Sequence, residues 1–368
     1  MSASLPLDCV LLGDCTEIMP TLPAGCADMI FADPPYNLQL ENELWRPNMT
    51  KVDAVDDEWD QFGGKARDAL ESFKEYDEFT EAWLSAARHV LSNTGTIWVI
   101  GTYHNIYRVG KIMMDLGYWI LNDIVWVKSN PTPNFRGVRF TNAHETLLWA
   151  KKSKGQRKYT FNHHAMKRYN EGKQMRSDWD LPLCTGAERL TVNGEKAHTT
   201  QKPEALLERV IAASTRVGDL VLDPFFGTGT TGAVAKRLGR RWIGIEREKR
   251  YVEVARRRLE AVEPMPEEWL RQHTEDTVPA KRIPFISLIE AGLLQPGDRL
   301  RHARLDIEAV VNEDGTISAN GHTGSIHRVG ALVAGLPACN GWTHWTYTCP
   351  ETGQPRPVHD LRERVRGR

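Results

Sequence analysis

Short apolar runs alternate with amphipathic segments over residues 1–262, and this pattern predicts β-strands connected by α-helices. The apolar runs that predict strands are residues 9–12, 27–32, 96–100, 118–127, 144–150, 220–223 and 241–246. Between them, apolar residues recur at helical spacing in segments 76–91, 105–116, 203–214, 230–238 and 249–262. The alternation of the two patterns predicts an α/β fold for this part of the chain.

Other segments lack this regular alternation. Residues 38–72 form a long acidic insertion. Loops of that length in compact domains are usually functional or disordered, and we predict a lid or clamp over the substrate. Residues 151–200 are polar and poorly periodic, while residues 263–283 combine several prolines with many charges and predict a linker. Residues 284–368 have short strands of their own. The predicted organisation is a first domain over 1–262, a linker, and a small C-terminal α+β domain.

The composition argues against several classes of protein. No apolar run approaches the roughly 18 residues of a membrane span, and the N-terminus lacks the basic and apolar regions of a signal peptide. The six cysteines form no Cys-x-x-Cys pair, and the twelve histidines have no spacing typical of metal ligands. We therefore expect a cytoplasmic protein with reduced cysteines, no membrane segment and no bound metal.

The formal net charge of −1 hides an uneven distribution. Residues 1–90 carry a net charge of −12, whereas residues 128–176 carry +10 and include six interleaved aromatic side chains. A basic block with aromatic residues is typical of a nucleic-acid surface, and we predict one at about residues 128–200. A solvated basic face is the alternative. The basic residues predicted to contact nucleic acid are Lys128, Arg136, Arg139, Lys151, Lys152, Arg168 and Arg176.

A short motif, Asp33-Pro34-Pro35-Tyr36, follows the apolar run 27–32 at the predicted carboxyl end of a strand. Ligands bind at that edge of open α/β sheets. The Asp33 carboxylate and the Pro34 carbonyl are two acceptors for the hydrogens of an exocyclic amine on a nucleobase. Tyr36 offers an aromatic face on which a base could stack outside the helix. The alternative is an ordinary proline turn with a capping aspartate.

A second motif, residues 223–232, joins a predicted strand to a predicted helix. Its glycines let a ligand approach the backbone, and the N-terminus of the helix favours a carboxylate. Glu246 ends the next strand, where an acidic side chain can bind ribose hydroxyls, although it could also be a surface salt-bridge residue. Asp14 follows the first strand and is expected at the same edge. The Gly-x-Gly loop alone is equally compatible with a nicotinamide dinucleotide.

Taken together, Asp-Pro-Pro-Tyr and Asp-Pro-Phe-x-Gly-x-Gly-Thr resemble the amino-methyltransferases of DNA, which use S-adenosylmethionine (SAM). The first motif precedes the second with the basic block between them, an order similar to that of the β group of these enzymes. Further segments resemble the cell-cycle-regulated adenine methyltransferases (CcrM-like enzymes), and they extend over nearly the whole chain. These segments are residues 37–40, 126–131, 143–147, 325–327 and 338–342.

The resemblance implies a Rossmann-like SAM-dependent methyltransferase domain with a mixed, mostly parallel sheet. It also implies methylation of adenine N6 in the sequence GANTC of double-stranded DNA, with the target base flipped out of the helix. A homodimer is implied as well, located in the cytoplasm at the nucleoid. The implied role is in the cell cycle and DNA replication. No restriction-nuclease signature is evident in the sequence, which favours a stand-alone regulatory role over a restriction pair.

Residue by residue, the resemblance assigns catalysis to Asp33, Pro34, Pro35 and Tyr36. It assigns cofactor binding to Asp14, Cys15, Thr200, Gln201, Lys202, Asp223, Phe225, Gly227, Gly229, Thr230 and Glu246. It adds to the DNA contacts Asn37, Asn130 and Asn134. One position departs from the usual pattern, since Thr199 stands where the family has proline and lacks the fixed φ of that residue.

The C-terminal segments contain candidates for reading bases. Asn340 could form bidentate hydrogen bonds to adenine, and Arg328 could bind guanine or phosphate. Trp342 could stack on an unpaired base, or could belong to a small core. Ser325 and His327 are predicted to contact DNA beside them. Because segment 283–368 has a net charge of zero, it is expected to read sequence rather than grip the backbone.

Other functions remain open at this level. An N4-cytosine methyltransferase would use almost the same site, and a SAM-sensing DNA-binding regulator would need no catalysis. Methylation of RNA or of protein glutamine fits less well, because those enzymes commonly carry Asn where Asp33 stands. A covalent intermediate on Cys15 is not expected, since transfer from a sulfonium to an amine is direct.

Overall fold

The computed structural model describes residues 5–37, 69–134, 137–192, 194–198, 200–276, 283–350 and 352–366. The chain divides into two compact units, Met1–Asp276 and Thr277–Arg368. The predicted lid lies outside the described residues except for its last positions, which begin a helix. Among the described residues, no helix is long and apolar enough to cross a membrane.

The first unit alternates strands and helices as the apolar pattern predicts. Its strands are β1 (Cys9–Leu12), β2 (Ala27–Ala32), β3 (Leu91–Gly101), β4 (Trp119–Lys128), β5 (His144–Lys151), β6 (Asp178–Leu181), β7 (Thr191–Val192), β8 (Glu195–Lys196), β9 (Leu220–Asp223) and β10 (Arg241–Glu246). Its helices are α1 (Cys15–Ile18), α2 (Ala69–Val90), α3 (Ile106–Asp115), α4 (His163–Arg168), α5 (Glu204–Ser214), α6 (Thr230–Arg237), α7 (Lys249–Glu260) and α8 (Glu267–Thr274).

Eight of these strands form one sheet in the order β1-β10-β9-β2-β3-β5-β4-β6. Of the described strands in this sheet, β5 alone runs antiparallel to its neighbours, β3 and β4. The two-residue strands β7 and β8 form a separate hairpin. A mixed, mostly parallel sheet is therefore confirmed for the first unit.

Both faces of the sheet are covered by apolar helices. Along β2, Met29 and Phe31 pack into the core that contains α5 and α6, whereas Ile30 and Ala32 pack into the core that contains α2 and α3. Successive side chains of a strand point to opposite faces, so a strand buried on both faces is a continuous apolar run. This is why the run 27–32 was recognisable in the sequence.

The structure differs from the prediction in two segments. The segment 151–200, predicted to be irregular, contains α4 and β6. The strand β6 was missed because only Trp179 and Leu181 are buried in it, too few to establish a period. The predicted linker 263–283 contains α8, whose Leu270 is buried in the core of the first unit. The prolines obscured this helix because they lie before and after it.

The second unit is a small α+β domain, in agreement with the predicted fold class. Its strands are β11 (Arg299–His302), β12 (Glu308–Val311), β13 (Ile317–Ala319), β14 (His322–Gly324), β15 (Trp345–Thr348) and β16 (Pro355–Pro357). They form an antiparallel sheet in the order β14-β13-β12-β11-β15-β16. Its helices are α9 (Ile286–Glu290), α10 (Ile326–Val333), α11 (Gly341–His344) and α12 (Val358–Arg366).

Candidate active site

A cavity of about 290 Å³ opens at the carboxyl ends of β1, β2, β9 and β10. These strands are parallel, so the residues that follow each of them meet at one edge of the sheet. All four predicted catalytic residues line this cavity, and so do the predicted cofactor residues with one exception. The exception is Gly229, which precedes α6 with a φ of 78° and lies beside Ala255. The two sequence motifs therefore share one site.

The loop between β9 and α6 is held by buried carboxylates. Glu246 accepts hydrogen bonds from the backbone N–H groups of Gly227 at 2.7 Å and Glu248 at 2.8 Å. Asp223 accepts one from the Phe225 N–H at 2.9 Å and one from the Thr231 hydroxyl at 2.5 Å. Gly227 has a φ of 50°, a left-handed conformation that favours glycine. The loop thus presents its backbone to the cavity in a fixed conformation.

Burial changes the protonation of these groups. It raises the pKa of Asp223 to about 7, and it raises the pKa of Glu246 above its ordinary value. Cys15 is buried in the same cavity, and burial raises the pKa of its thiol to about 12. A thiol that keeps its proton is a poor nucleophile, which agrees with the expectation that Cys15 forms no covalent intermediate.

The catalytic motif leaves β2 as an extended turn that is tied down from behind. The Tyr76 hydroxyl of α2 donates a hydrogen bond of 2.8 Å to the carbonyl of Pro35. Asn105, which precedes α3, donates one of 3.0 Å to the Tyr76 hydroxyl. These contacts fix the backbone of a turn whose prolines cannot donate hydrogen bonds themselves.

The Asp33 carboxylate is surrounded by charged and polar side chains. One oxygen, Oδ1, accepts a hydrogen bond of 2.9 Å from the Tyr36 hydroxyl. The other, Oδ2, lies 2.6 Å from the ammonium group of Lys202. The Tyr36 hydroxyl also lies 3.0 Å from Oε2 of Glu145. The other oxygen of Glu145, Oε1, lies 2.9 Å from the ammonium group of Lys128. Lys202 is predicted to flank the cofactor. In the structure its ammonium group also forms an ion pair with the Asp33 carboxylate.

Sequence reasoning missed Glu145 and His198 as residues of this region. Glu145 lies at the start of β5, and a single glutamate in an apolar strand gives no periodic signal. His198 lines the cavity, and its Nδ1 accepts a hydrogen bond of 3.1 Å from the Thr200 N–H. Burial and nearby positive charges, Lys202 first, lower the pKa of His198 to about 4, so the ring is neutral. With Nδ1 accepting, Nε2 carries the ring proton.

The two remaining residues of the segment before α5 have different surroundings. Gln201 is buried, and its amide bonds to the backbone of Glu188 and Leu190 at 2.9 and 3.0 Å. It therefore holds a neighbouring loop against the cavity wall. Thr200 follows His198 and lines the cavity directly. The neighbouring Thr199 lies outside the described residues.

The predicted DNA contacts of the first unit fall into distinct groups. Those with exposed side chains are Asn130, Arg139, Arg168 and Arg176, while Asn134, Lys151 and Lys152 are half-buried. Both lysines donate to backbone carbonyls, Lys151 to Gln156 at 2.7 Å and Lys152 to Leu91 at 2.6 Å. Arg136 lies outside the described residues.

Two of the residues predicted to contact DNA are buried in this structure. The Lys128 side chain is only 9% exposed and is paired with Glu145. Asn37 is 4% exposed, and its side-chain oxygen accepts a hydrogen bond from Ser72. Burying a charge or an amide requires internal partners, and both residues have them.

In the second unit the two predicted segments are in contact. The His327 Nδ1 accepts a hydrogen bond of 3.0 Å from the Gly341 N–H. Ser325 caps α10, and Asn340 caps α11 through its side-chain oxygen. The side chains of Ser325, His327, Arg328 and Asn340 are exposed. Trp342 is only 6% exposed and belongs to the core, which favours the alternative stated for it over stacking on a base.

Comparisons with known proteins identify the family of the chain. The profile of a DNA methylase family matches residues 27–257, and a profile described as Restriction Enzyme Adenine Methylase Associated matches residues 270–368. The chain is 48% identical over 340 residues to the Type II methyltransferase M.HinfI of Haemophilus influenzae, covering 92% of both. It is 48% identical over 235 residues to the Type II methyltransferase M2.DpnII of Streptococcus pneumoniae, covering 64% of this chain and 82% of that one.

Among solved structures, the PvuII DNA methyltransferase (cytosine-N4-specific) matches with a TM-score of 0.53 at 20% identity, covering 72% of this chain and 90% of that one. This is a likeness of fold. The fold is that of a SAM-dependent methyltransferase. More particularly, the chain belongs to the N6/N4 family of DNA methylases. The predicted enzyme class and cofactor are therefore confirmed.

Asp223→Asn is expected to be more stable than the wild type above pH 7, with a difference that disappears toward pH 4. An aspartate in the unfolded chain ionises near pH 4, whereas the folded Asp223 keeps its proton up to about pH 7. Wild-type stability is therefore lost as the pH rises between these values. The stability difference between Asp223→Asn and the wild type is expected to reach at most about 4 kcal/mol at high pH. The variant keeps a side-chain oxygen that can accept the hydrogen bond from the Phe225 N–H.

Chemical unfolding at pH 4, 6 and 8 measures this difference. The control is Asp115→Asn, which removes an exposed carboxylate at the end of α3. A stability difference between Asp223→Asn and the wild type that is the same at all three pH values would contradict the assignment.

Proposed function

We propose that this enzyme methylates the N6 atom of adenine in double-stranded DNA, with the target base flipped into the cavity. The observation that carries the proposal is that Asp33, Tyr36 and the Gly227 loop line one cavity. The acceptor for the amine and the cofactor loop can therefore reach a target adenine and a SAM molecule that are bound in this one cavity. The base must leave the helix because these residues lie in a recess, and unstacking costs a few kcal/mol.

The residues of the turn act on an amine that is a poor nucleophile, because its lone pair is delocalised into the adenine ring. In the proposed reaction, the Asp33 carboxylate and the Pro34 carbonyl accept the two amino hydrogens and draw the nitrogen toward tetrahedral geometry. Tyr36 stacks on the base. SAM supplies the methyl group when it is bound. The rate then comes from positioning and electrostatic stabilisation.

The cavity residues fit SAM in their chemistry. Glu246 offers a carboxylate for ribose hydroxyls, and its raised pKa reflects burial beside the loop. Gly227 has a φ of 50° and carries no side chain, which leaves the loop backbone open to a ligand. Asp14 and Cys15 are proposed to lie near the cofactor adenine. Thr200 and its two successors are proposed to flank the methionine part.

The proposed target sequence is GANTC, which the resemblance to CcrM-like enzymes implies. Exposed basic residues of the first unit, Arg139, Arg168 and Arg176, are proposed to contact phosphates. The exposed group Ser325, His327, Arg328 and Asn340 is proposed to read bases. A homodimer, a location at the nucleoid, and a regulatory role in replication and the cell cycle are proposed from the resemblance. A cytoplasmic location is proposed from the composition, and the absence of a restriction partner from the lack of a nuclease signature in the sequence.

DNA treated with the purified protein and SAM is expected to contain N6-methyladenine in GANTC on both strands. Sequencing that reads modified bases reports the base, the site and the strand together. N4-methylcytosine in the product would support the alternative use of the same cavity. SAM and DNA binding with no methyl transfer at any site would instead support a regulator.

Asp33→Ala is expected to bind SAM and DNA but to lose methyl transfer by at least 10²-fold, since it removes the charged acceptor of the amine. Transfer of tritium from labelled SAM to DNA measures the rate, and calorimetry measures SAM affinity. Asp115→Ala removes a carboxylate far from the cavity and should keep normal turnover. Unchanged turnover of Asp33→Ala would remove Asp33 from the mechanism.

Asn340→Asp is expected to lose discrimination between GANTC and sites that differ at one base pair. Aspartate keeps the side-chain oxygen that caps α11, but it lacks the amide donor needed for bidentate bonding to adenine, worth about 1–3 kcal/mol. Asn320→Asp introduces the same charge in an exposed turn of the same unit and is the control. Equal loss of discrimination in both variants would show a general charge effect instead of base reading.

A further inference from the structure

Beside the cavity lies a cluster of four charged side chains whose charges balance: Asp33, Glu145, Lys128 and Lys202. Their side chains are between 8% and 20% exposed. Two carboxylates and two ammonium groups can be buried together because each charge has an opposite partner. Tyr36 lies between the two carboxylates, with its hydroxyl 2.9 Å from Asp33 and 3.0 Å from Glu145. Three members of this cluster, Glu145, Lys128 and Lys202, lie outside the catalytic motif of residues 33–36.

Both oxygens of Asp33 are already engaged. The ammonium group of Lys202 lies 2.6 Å from Oδ2, and the Tyr36 hydroxyl donates to Oδ1. An adenine amino group that enters the cavity must compete with these donors for the same carboxylate. A lysine ammonium held at that distance also reduces the electron density that Asp33 can offer to the amine.

Glu145 is a second possible acceptor for the Lys202 ammonium group and for the Tyr36 hydroxyl. Its Oε2 lies 3.9 Å from the Lys202 ammonium group and 3.0 Å from the Tyr36 hydroxyl. Since a phenol has one hydrogen, it can be donated fully to Asp33 or to Glu145 but not to both. Lys128 holds the other oxygen of Glu145 at 2.9 Å, so Oε2 stays directed at these donors. A shift of about 1 Å would bring Lys202 to Glu145, well within the freedom of a flexible lysine side chain.

We propose that Glu145 is a positioning residue for methyl transfer: it takes over Lys202 and the Tyr36 hydroxyl when the adenine amino group binds Asp33. The inference rests on the proposed function and adds residues to its site. Lys128 keeps Glu145 in place. Lys202 stays within the cluster throughout the exchange, so the cluster as a whole remains neutral.

The electrostatics of the cluster agree with this exchange. Burial raises the pKa of Glu145, but Lys202 and Lys128 outweigh it, so the pKa lies below its ordinary value. Burial raises the pKa of Asp33, and Lys202 offsets only part of that rise. Glu145 and Asp223 are the acidic groups that face Asp33, together with Tyr36. Glu145 is therefore the carboxylate better suited to hold a cation.

A double-mutant cycle tests the exchange. Glu145→Gln is expected to slow single-turnover methyl transfer by tenfold to about 10²-fold at saturating SAM and DNA, because Lys202 then stays on Asp33. In the Lys202→Met background, the same change should alter the rate less than about threefold, since no ammonium group needs a second acceptor. Each rate is taken on the plateau of that variant's pH profile.

The pH profiles give a readout that a purely structural role would not change. In Glu145→Gln the acid limb should move to lower pH, because a negative charge near Asp33 is lost and its pKa falls. In Lys202→Met it should move to higher pH, because Asp33 loses its cation and its pKa rises. SAM affinity should stay the same in Glu145→Gln. Asp77→Asn, which breaks an ion pair with Arg108 outside the cavity, is the matched control.

Each outcome has a defined meaning. A normal transfer rate in Glu145→Gln, or equal losses from this change in both backgrounds, would overturn the inference while the proposed function stands. Acid limbs that move in the same direction in the two variants would also overturn it. If the wild type transfers no methyl group to DNA, the proposed function itself fails, and the inference fails with it.

Discussion

The structure depends on how four carboxylates find partners at one edge of the mixed sheet: Asp33, Glu145, Asp223 and Glu246. A carboxylate taken from water needs compensating partners, and the fold supplies two kinds. Asp33 and Glu145 face ammonium groups, whereas Asp223 and Glu246 accept hydrogen bonds from backbone N–H groups or from a hydroxyl. The first pair can exchange partners, while the second pair fixes a loop. One sheet edge thereby provides both an adjustable half and a rigid half of the same site.

The reversal of β5 creates the adjustable half. Parallel strands place only their carboxyl ends at the cavity, so residues at the start of a strand would lie at the opposite edge. Because β5 runs antiparallel, its first residues pair with the last residues of β3 and β4, with Trp126 opposite Glu145. Lys128, at the end of β4, is therefore within reach of that carboxylate. A wholly parallel sheet would place Glu145 far from Asp33.

Much of the fold could be predicted from the sequence, because a strand buried on both faces is a visible apolar run and a helix has its own period. The shared cavity could be predicted from the rule that strand ends meet at one edge. The partners of Asp33 could not, since the hydrogen bond between Lys202 and Asp33 joins residues 169 positions apart and the role of Glu145 depends on strand direction. The burial of Lys128 could not be predicted from charge either. A lysine in a basic block is predicted to be exposed whether or not a carboxylate lies opposite it in the fold.

The burial of Lys128 reduces the number of positive charges that the basic block, residues 128–176, presents to solvent. Lys128 and Glu145 cancel inside the fold, and Arg176 forms an exposed ion pair with Asp178 at 2.7 Å. The net charge of the block is unchanged by such pairs, but the charges that can reach a phosphate are fewer than the sequence suggests. Exposed surface pairs are weak and can exchange a carboxylate for a phosphate, whereas a buried pair cannot. The positive charge of this region therefore has two parts: the exposed arginines are accessible to DNA, and the buried Lys128 balances the charge of Glu145.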